Sequence, residues 1–252
     1  MWRPDVIDLA EFYASHLGQA AQRLIRRRVR EIWPDVTGQR VLGLGYATPY
    51  LRPFREEAER VIAIMPAQQG VVHWPRDEPG LVCLGDETEL PIPDASIDRL
   101  LMVHSLETSE HVRPLLREIW RVLAPGGKLL VVVPNRRGLW ARFEASPFGQ
   151  GHPYTPPQLY RLLRDTIYLP NAALGALYLP PSRRRFILRA ATTWENVGRR
   201  WWPTFSGVVM VEAGKQIYAA TPERVRKRRL RVPDLVPGRA AGMSMRRRPR
   251  VE

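Results

Sequence analysis

Val41-Leu42-Gly43-Leu44-Gly45-Tyr46-Ala47-Thr48-Pro49-Tyr50-Leu51 is an apolar run of strand length that enters a small-residue turn and leaves it as a helix. Thr48 offers a side-chain oxygen suited to a helix N-cap, and Pro49 suits the first helical position, where an N–H would be unpaired anyway. The glycines stand where the chain leaves the carboxyl end of a first strand, the ligand crevice of an open α/β sheet. Without a Cβ they allow a ligand close to the backbone. The turn reads Gly-x-Gly-x-x-Thr and so lacks the third glycine of the dinucleotide fingerprint.

Working outward, short apolar runs alternate with helical spacing from Arg40 onward. Strands are expected over 41–45, 61–64, 81–84, 97–103 and 128–133, and helices over 49–59 and 109–123. This alternation predicts a mostly parallel sheet of about seven strands with helices on both faces. A Pro- and aromatic-rich insertion spans 134–157, followed by a helix over 158–165. Further strands are expected over 174–178, 206–212 and 216–219, with a basic helix near 183–200. Upstream, apolar residues recur at helical spacing between Pro4 and Pro34, predicting one helix bent at Gly18. Three segments result: a helical segment over 1–37, an α/β domain over 38–222 with the insertion as a lid, and a basic, disordered tail over 223–252.

The tail holds eleven Lys/Arg against three acids and so carries +8 of the net charge of +14. It has few large apolar residues to offset its ordering entropy. Such a tail is a solubilising terminus or an arm for nucleic acid or an anionic surface. Asp5, Asp8 and Glu11 interrupt the only apolar stretch near the start, and the longest aliphatic run, Leu129 to Val133, is too short to span a bilayer. A cytoplasmic protein without a transmembrane segment is expected. Cys83 is the only cysteine, which excludes an internal disulfide; its apolar strand suggests a small core residue. The five histidines show no metal-ligand spacing, so no metal is expected. Trp194, Trp201 and Trp202 lie among six arginines and read as helix-packing residues beside a solvated basic face.

Two further blocks carry a resemblance. Gly85-Asp86-Glu87-Thr88-Glu89-Leu90-Pro91 leads into Ile97 to Val103, and Leu116-Arg117-Glu118-Ile119-Trp120-Arg121-Val122-Leu123-Ala124-Pro125-Gly126-Gly127-Lys128 runs from helix through turn to strand. Together with the first turn, over Gly38 to Asn135, they resemble the type 11 class I S-adenosylmethionine-dependent methyltransferases. The resemblance implies a Rossmann-like fold, S-adenosylmethionine as cofactor, and methyl transfer to an acceptor that the sequence does not identify. It places Gly43, Gly45 and Tyr46 under the methionine part of the cofactor. Asp86 and Glu87 fall at the adenine, and His104 and Ser105 face the reactive methyl, with His104 as the candidate base.

The chain departs from the family pattern at several positions. Gly43 replaces an acidic residue, Ala47 and Pro49 replace glycines, and Met65 stands where a ribose-binding carboxylate ends the second strand. In the insertion, Trp140, His152 and Tyr154 are the candidate acceptor-binding residues. Two alternatives remain at this point: a non-catalytic module of the same fold that binds a protein or nucleic acid, and a nicotinamide-dependent oxidoreductase.

Overall fold

The computed structural model describes residues 4–215. Seven strands, Arg40–Gly45 (β1), Arg60–Pro66 (β2), Val82–Gly85 (β3), Ile97–Val103 (β4), Leu123–Pro134 (β5), Tyr168–Ala176 (β6) and Val208–Lys215 (β7), form one sheet in the order β3-β2-β1-β4-β5-β7-β6. β1 to β5 pair in parallel, and β7 runs antiparallel to both of its neighbours. The inner strands are covered on both sides, which is why they read as continuous apolar runs. Within β1, Val41 belongs to one core layer while Leu42 and Leu44 belong to the other.

One layer contains the helices Val6–Ala14 (α1), His16–Ile32 (α2), Thr48–Leu51 (α3), Arg185–Arg189 (α6) and Ala191–Trp201 (α7). The opposite layer contains Val112–Val122 (α4) and Pro156–Asp165 (α5). The seven-stranded α/β architecture expected from the sequence is the one observed.

Local differences have identifiable causes. The expected single N-terminal helix is two, and the break is at Ser15. Its Oγ donates to Phe12 O at 2.6 Å and accepts from Gly18 N at 3.0 Å, so one hydroxyl ends α1 and begins α2. Gly18 serves packing instead: a Cβ there would lie 1.9 Å from the carbonyl oxygen of Phe12. The helix expected over 49–59 stops at Leu51 and continues only as a 3-10 turn, Arg52–Phe54. Pro53 has no N–H to offer the Pro49 carbonyl, which accepts from Gln22 Nε2 at 2.8 Å.

Cys83 is exposed, because β3 is an edge strand. The basic helix over 183–200 is divided into α6 and α7, and Trp194, Trp201 and Trp202 are exposed rather than packed. The strand expected over 216–219 and the tail over 223–252 lie outside the described residues.

The tight α1–α2 corner makes Gly18→Ala a direct test. The added methyl meets backbone, which cannot yield, so the variant should lose about 2 kcal/mol in urea unfolding. An unchanged midpoint would show that α1 does not dock as described.

Candidate functional site

The site is built where β1 and β4 end side by side. Gly45 has φ +76°, and a Cβ on it would lie 2.3 Å from Val103 O and 2.8 Å from Ser105 Cβ. Tyr46 N donates to the same Val103 carbonyl at 2.9 Å. Gly45 is therefore required by the strand-end crossing itself, before any ligand is considered. At Gly43 a Cβ would meet the Leu51 side chain at 2.5 Å, so this glycine lets α3 lie across the strand.

His104, just past β4, is buried with φ +53°, a left-handed conformation costing on the order of 1 kcal/mol in a non-glycine residue. Three contacts hold it. Gln69 Nε2 donates to its carbonyl at 2.9 Å, Glu107 Oε1 lies 3.2 Å from Nδ1, and the Tyr13 hydroxyl lies 2.8 Å from Nε2. A carboxylate at Glu107 only accepts, which assigns the ring proton to Nδ1 and leaves Nε2 to accept from Tyr13. Tyr13 in turn accepts from Tyr50, with their oxygens 2.7 Å apart. Burial raises the pKa of Tyr13 well above the usual tyrosine range, followed by its charge interaction with Tyr50; burial also raises Tyr50. Both stay protonated and act as donors. The Tyr13 ring stacks on Tyr46 at 5.5 Å, and the His104 ring lies 4.8 Å from Phe148.

Not all of the sequence-derived residues converge here. Gly45, Tyr46, His104 and Ser105 meet at the strand ends. Met65, at the end of β2, is fully buried in the same core layer as Tyr13. Asp86 is exposed; its carboxylate accepts from Thr88 N and Thr88 Oγ1, both at 2.7 Å, and these bonds hold its pKa below the usual range. Glu87 accepts from Ser109 Oγ at 2.6 Å.

The acceptor trio is divided. Trp140 is buried in the α1 layer, with Nε1 donating to Leu179 O at 2.6 Å, whereas Tyr154 packs against the opposite layer. His152 is exposed, and only its backbone N–H reaches the site region, donating to Glu107 O at 2.7 Å. Tyr13, Tyr50, Gln69 and Glu107 escaped the sequence reading. Only the polar tip of Tyr13 on an otherwise apolar helix face hinted at its position.

The residues match S-adenosylmethionine in chemistry but not in room. Ser105 Oγ, Gln69 Oε1 and Glu107 Oε2 are buried and lack hydrogen-bond partners, and each belongs to His104's immediate surroundings. Unpaired polar atoms grouped in this way suit a polar ligand. The space beside them, however, between Pro4, Pro66, Gln69, Glu87 and Thr108, is a cavity of about 20 Å³, enough for roughly one water. From α1, Tyr13 packs over the strand ends, stacked on Tyr46 and hydrogen-bonded to His104.

A sheet of this order, with one antiparallel strand inserted between β5 and β6, is the Rossmann-like sheet of the class I methyltransferase fold. Residues 42–131 match the type 11 family model, described as a methyltransferase domain. The ubiquinone/menaquinone biosynthesis C-methyltransferase UbiE of Rubrivivax gelatinosus is 27% identical over 210 residues, covering 79% of each chain. A probable tocopherol O-methyltransferase of Oryza sativa subsp. japonica is 28% identical over 47% of this chain and 32% of its own.

Among solved structures, a possible histamine N-methyltransferase from Thermotoga maritima superposes with TM-score 0.57 at 17% identity, covering 84% of this chain and 96% of its own. The [4+2]-cyclase SpnF does so with TM-score 0.55 at 22% identity, over 79% and 82%. These matches and the shared fold support a class I S-adenosylmethionine-dependent methyltransferase.

Tyr13→Phe keeps the ring packing and removes the hydroxyl shared by His104 and Tyr50, leaving two buried polar groups unpaired. A loss of about 2 kcal/mol is expected in chemical denaturation. A loss of only a few tenths would mean that water already reaches this hydroxyl.

Proposed function

We propose that this enzyme transfers a methyl group from S-adenosylmethionine to an aromatic amphiphile, and that α1 must turn away about Ser15 before the cofactor can enter. The observation that carries this reading is the Tyr13 hydroxyl, held on His104 above three partnerless polar atoms. One element both occupies the hollow and completes its hydrogen bonds. Ser15 is the natural pivot, because its single hydroxyl joins two otherwise separate helices.

The cofactor, when bound, supplies an electrophilic methyl group. The chain's residues have separate tasks. Glu107 fixes the His104 tautomer so that Nε2 is bare, and departure of Tyr13 frees that nitrogen to accept a proton from an acceptor. Asp86, ionised and exposed, is available to accept a hydrogen bond from an adenine amino group. Gly45 keeps the strand-end backbone open. Trp140 and Phe148, packed edge to face on the His104 side and left in place when α1 turns away, are the surfaces against which an aromatic acceptor fits. The named quinone-biosynthesis and tocopherol relatives support an acceptor of this kind, while Tyr154 is left to packing. Work in the cytoplasm is part of this reading; no helix of the described residues is long and apolar enough to cross a membrane.

Thermal-shift titration tests the reading. S-adenosylhomocysteine should stabilise the wild type and NAD should not. Tyr13→Ala should bind S-adenosylhomocysteine roughly tenfold tighter, since an open form populated at about a tenth multiplies the apparent affinity by that fraction. If neither protein responds to S-adenosylmethionine or S-adenosylhomocysteine, the fold serves here without methyl transfer.

A further inference from the structure

Helix α7 exposes an apolar stripe that the core does not use. Its buried positions, Ala191, Glu195 and Gly198, recur at i, i+4 and i+7 and pack toward Tyr178, where a Cβ on Gly198 would lie 2.4 Å from Tyr178 Cβ. Trp194, Val197 and Trp201 recur at i, i+3 and i+7 on a second line, roughly a quarter turn away at about 100° per residue. The line extends backward through successive turns, because Trp194 N donates to Ala190 O at 2.9 Å and Ala190 N to Phe186 O at 3.2 Å. Trp202 and Phe205, just past the end of α7, are exposed as well.

Phe186 is 66% exposed and Trp201 69% exposed. With Trp194, Val197, Trp202 and Phe205, which are between 37% and 58% exposed, they present on the order of several hundred Å², more than scattered surface residues do.

The same two helices, α6 and α7, also border an arginine groove. A cavity of about 710 Å³ separates α2 from α6 and is lined by Arg23 and Arg27 on one wall and Arg185, Leu188 and Arg189 on the other. Arg27 lies 3.5 Å from Glu31, while Arg23, Arg185 and Arg189 form no ion pair among the described residues. Between residues 183 and 200 there are six arginines and one acid, Glu195. That acid is buried, accepts from the backbone N–H groups of Leu177 and Tyr178, and faces Arg28 at 3.7 Å. The face is therefore strongly positive.

We infer that the α6–α7 face is a docking surface for an anionic lipid bilayer, with the aromatic stripe entering the acyl boundary and the arginine groove holding lipid phosphates. Trp and Phe along one flank of a helix, with arginines along the other, is the arrangement that lies flat in a membrane interface. Charge complementarity sets the sign of the lipid. A single nucleic-acid strand is a poorer fit, because stacking needs aromatics inside the basic channel. Here no Trp, Tyr or Phe lines the groove. This inference does not depend on methyl transfer or on the opening of α1.

The test is co-sedimentation of the full chain with phosphatidylcholine vesicles, with and without phosphatidylglycerol, at low ionic strength. The wild type should pellet only with the anionic vesicles, and brominated acyl chains should quench its tryptophan fluorescence. Trp194→Ser with Trp201→Ser should lose most of both signals while its circular dichroism and melting temperature stay unchanged. Arg185→Gln with Arg189→Gln should weaken binding roughly 30-fold, at about a tenfold to thirtyfold effect for each pair of interfacial charges.

Three results would overturn the inference. One is a wild type that does not pellet with phosphatidylglycerol. Another is a tryptophan variant that pellets as the wild type does, which assigns attachment to other charges of the chain. The third is single-stranded DNA binding through these same tryptophans and arginines while vesicles do not bind.

Discussion

The hydroxyl of Tyr13 joins the N-terminal helix to the carboxyl edge of the sheet. It is shared between His104 and Tyr50, and both rings are buried, so each would be left with an unpaired polar atom if α1 moved. His104 in turn occupies a left-handed backbone conformation that its contacts with Gln69, Glu107 and Tyr13 maintain. The geometry of the loop after β4 therefore depends on what α1 places against it. A ligand that displaced Tyr13 would have to provide comparable hydrogen bonds, and Ser105, Gln69 and Glu107 still have capacity to accept or donate them.

Much of the architecture was legible because its inner strands are short apolar runs bounded by Pro, Gly or charge. Val41 to Gly45 and Lys128 to Val133 carry that signal by themselves. The signal failed where backbone chemistry overruled periodicity. Pro53 ended a helix that the apolar spacing extended to Glu59, and Ser15 broke one that the spacing carried to Trp33. In both cases a single hydrogen-bonding group decided the outcome.

The site was less legible than the fold. Gly45, Tyr46, His104 and Ser105 follow from one fact of topology: parallel strands end together, so residues just past β1 and β4 are neighbours. The insertion offered no such rule. Trp140 and Tyr154 are fourteen positions apart in an irregular segment, and nothing in their spacing indicates that they settle on opposite faces of the sheet. Tyr13 comes from the N-terminal helix, far from any strand end in sequence, and Gln69 from the turn three residues past β2; only the folded chain brings them both to His104. The tryptophans of α7 show the reverse error, since aromatic residues at helical spacing ordinarily mark a buried face, yet here the buried line is Ala191, Glu195 and Gly198. A fold shared with a [4+2]-cyclase also cautions that the site, not the architecture, selects the reaction.

The exposed position of Cys83 gives the molecule one addressable thiol, three residues before Asp86 on the outermost strand. Desolvation raises its pKa, so maleimide coupling will favour mildly alkaline buffer. A fluorophore or spin label attached there needs no cysteine removed and none introduced. The distance from that label to a second probe on α1 would report any motion of the helix relative to the sheet edge.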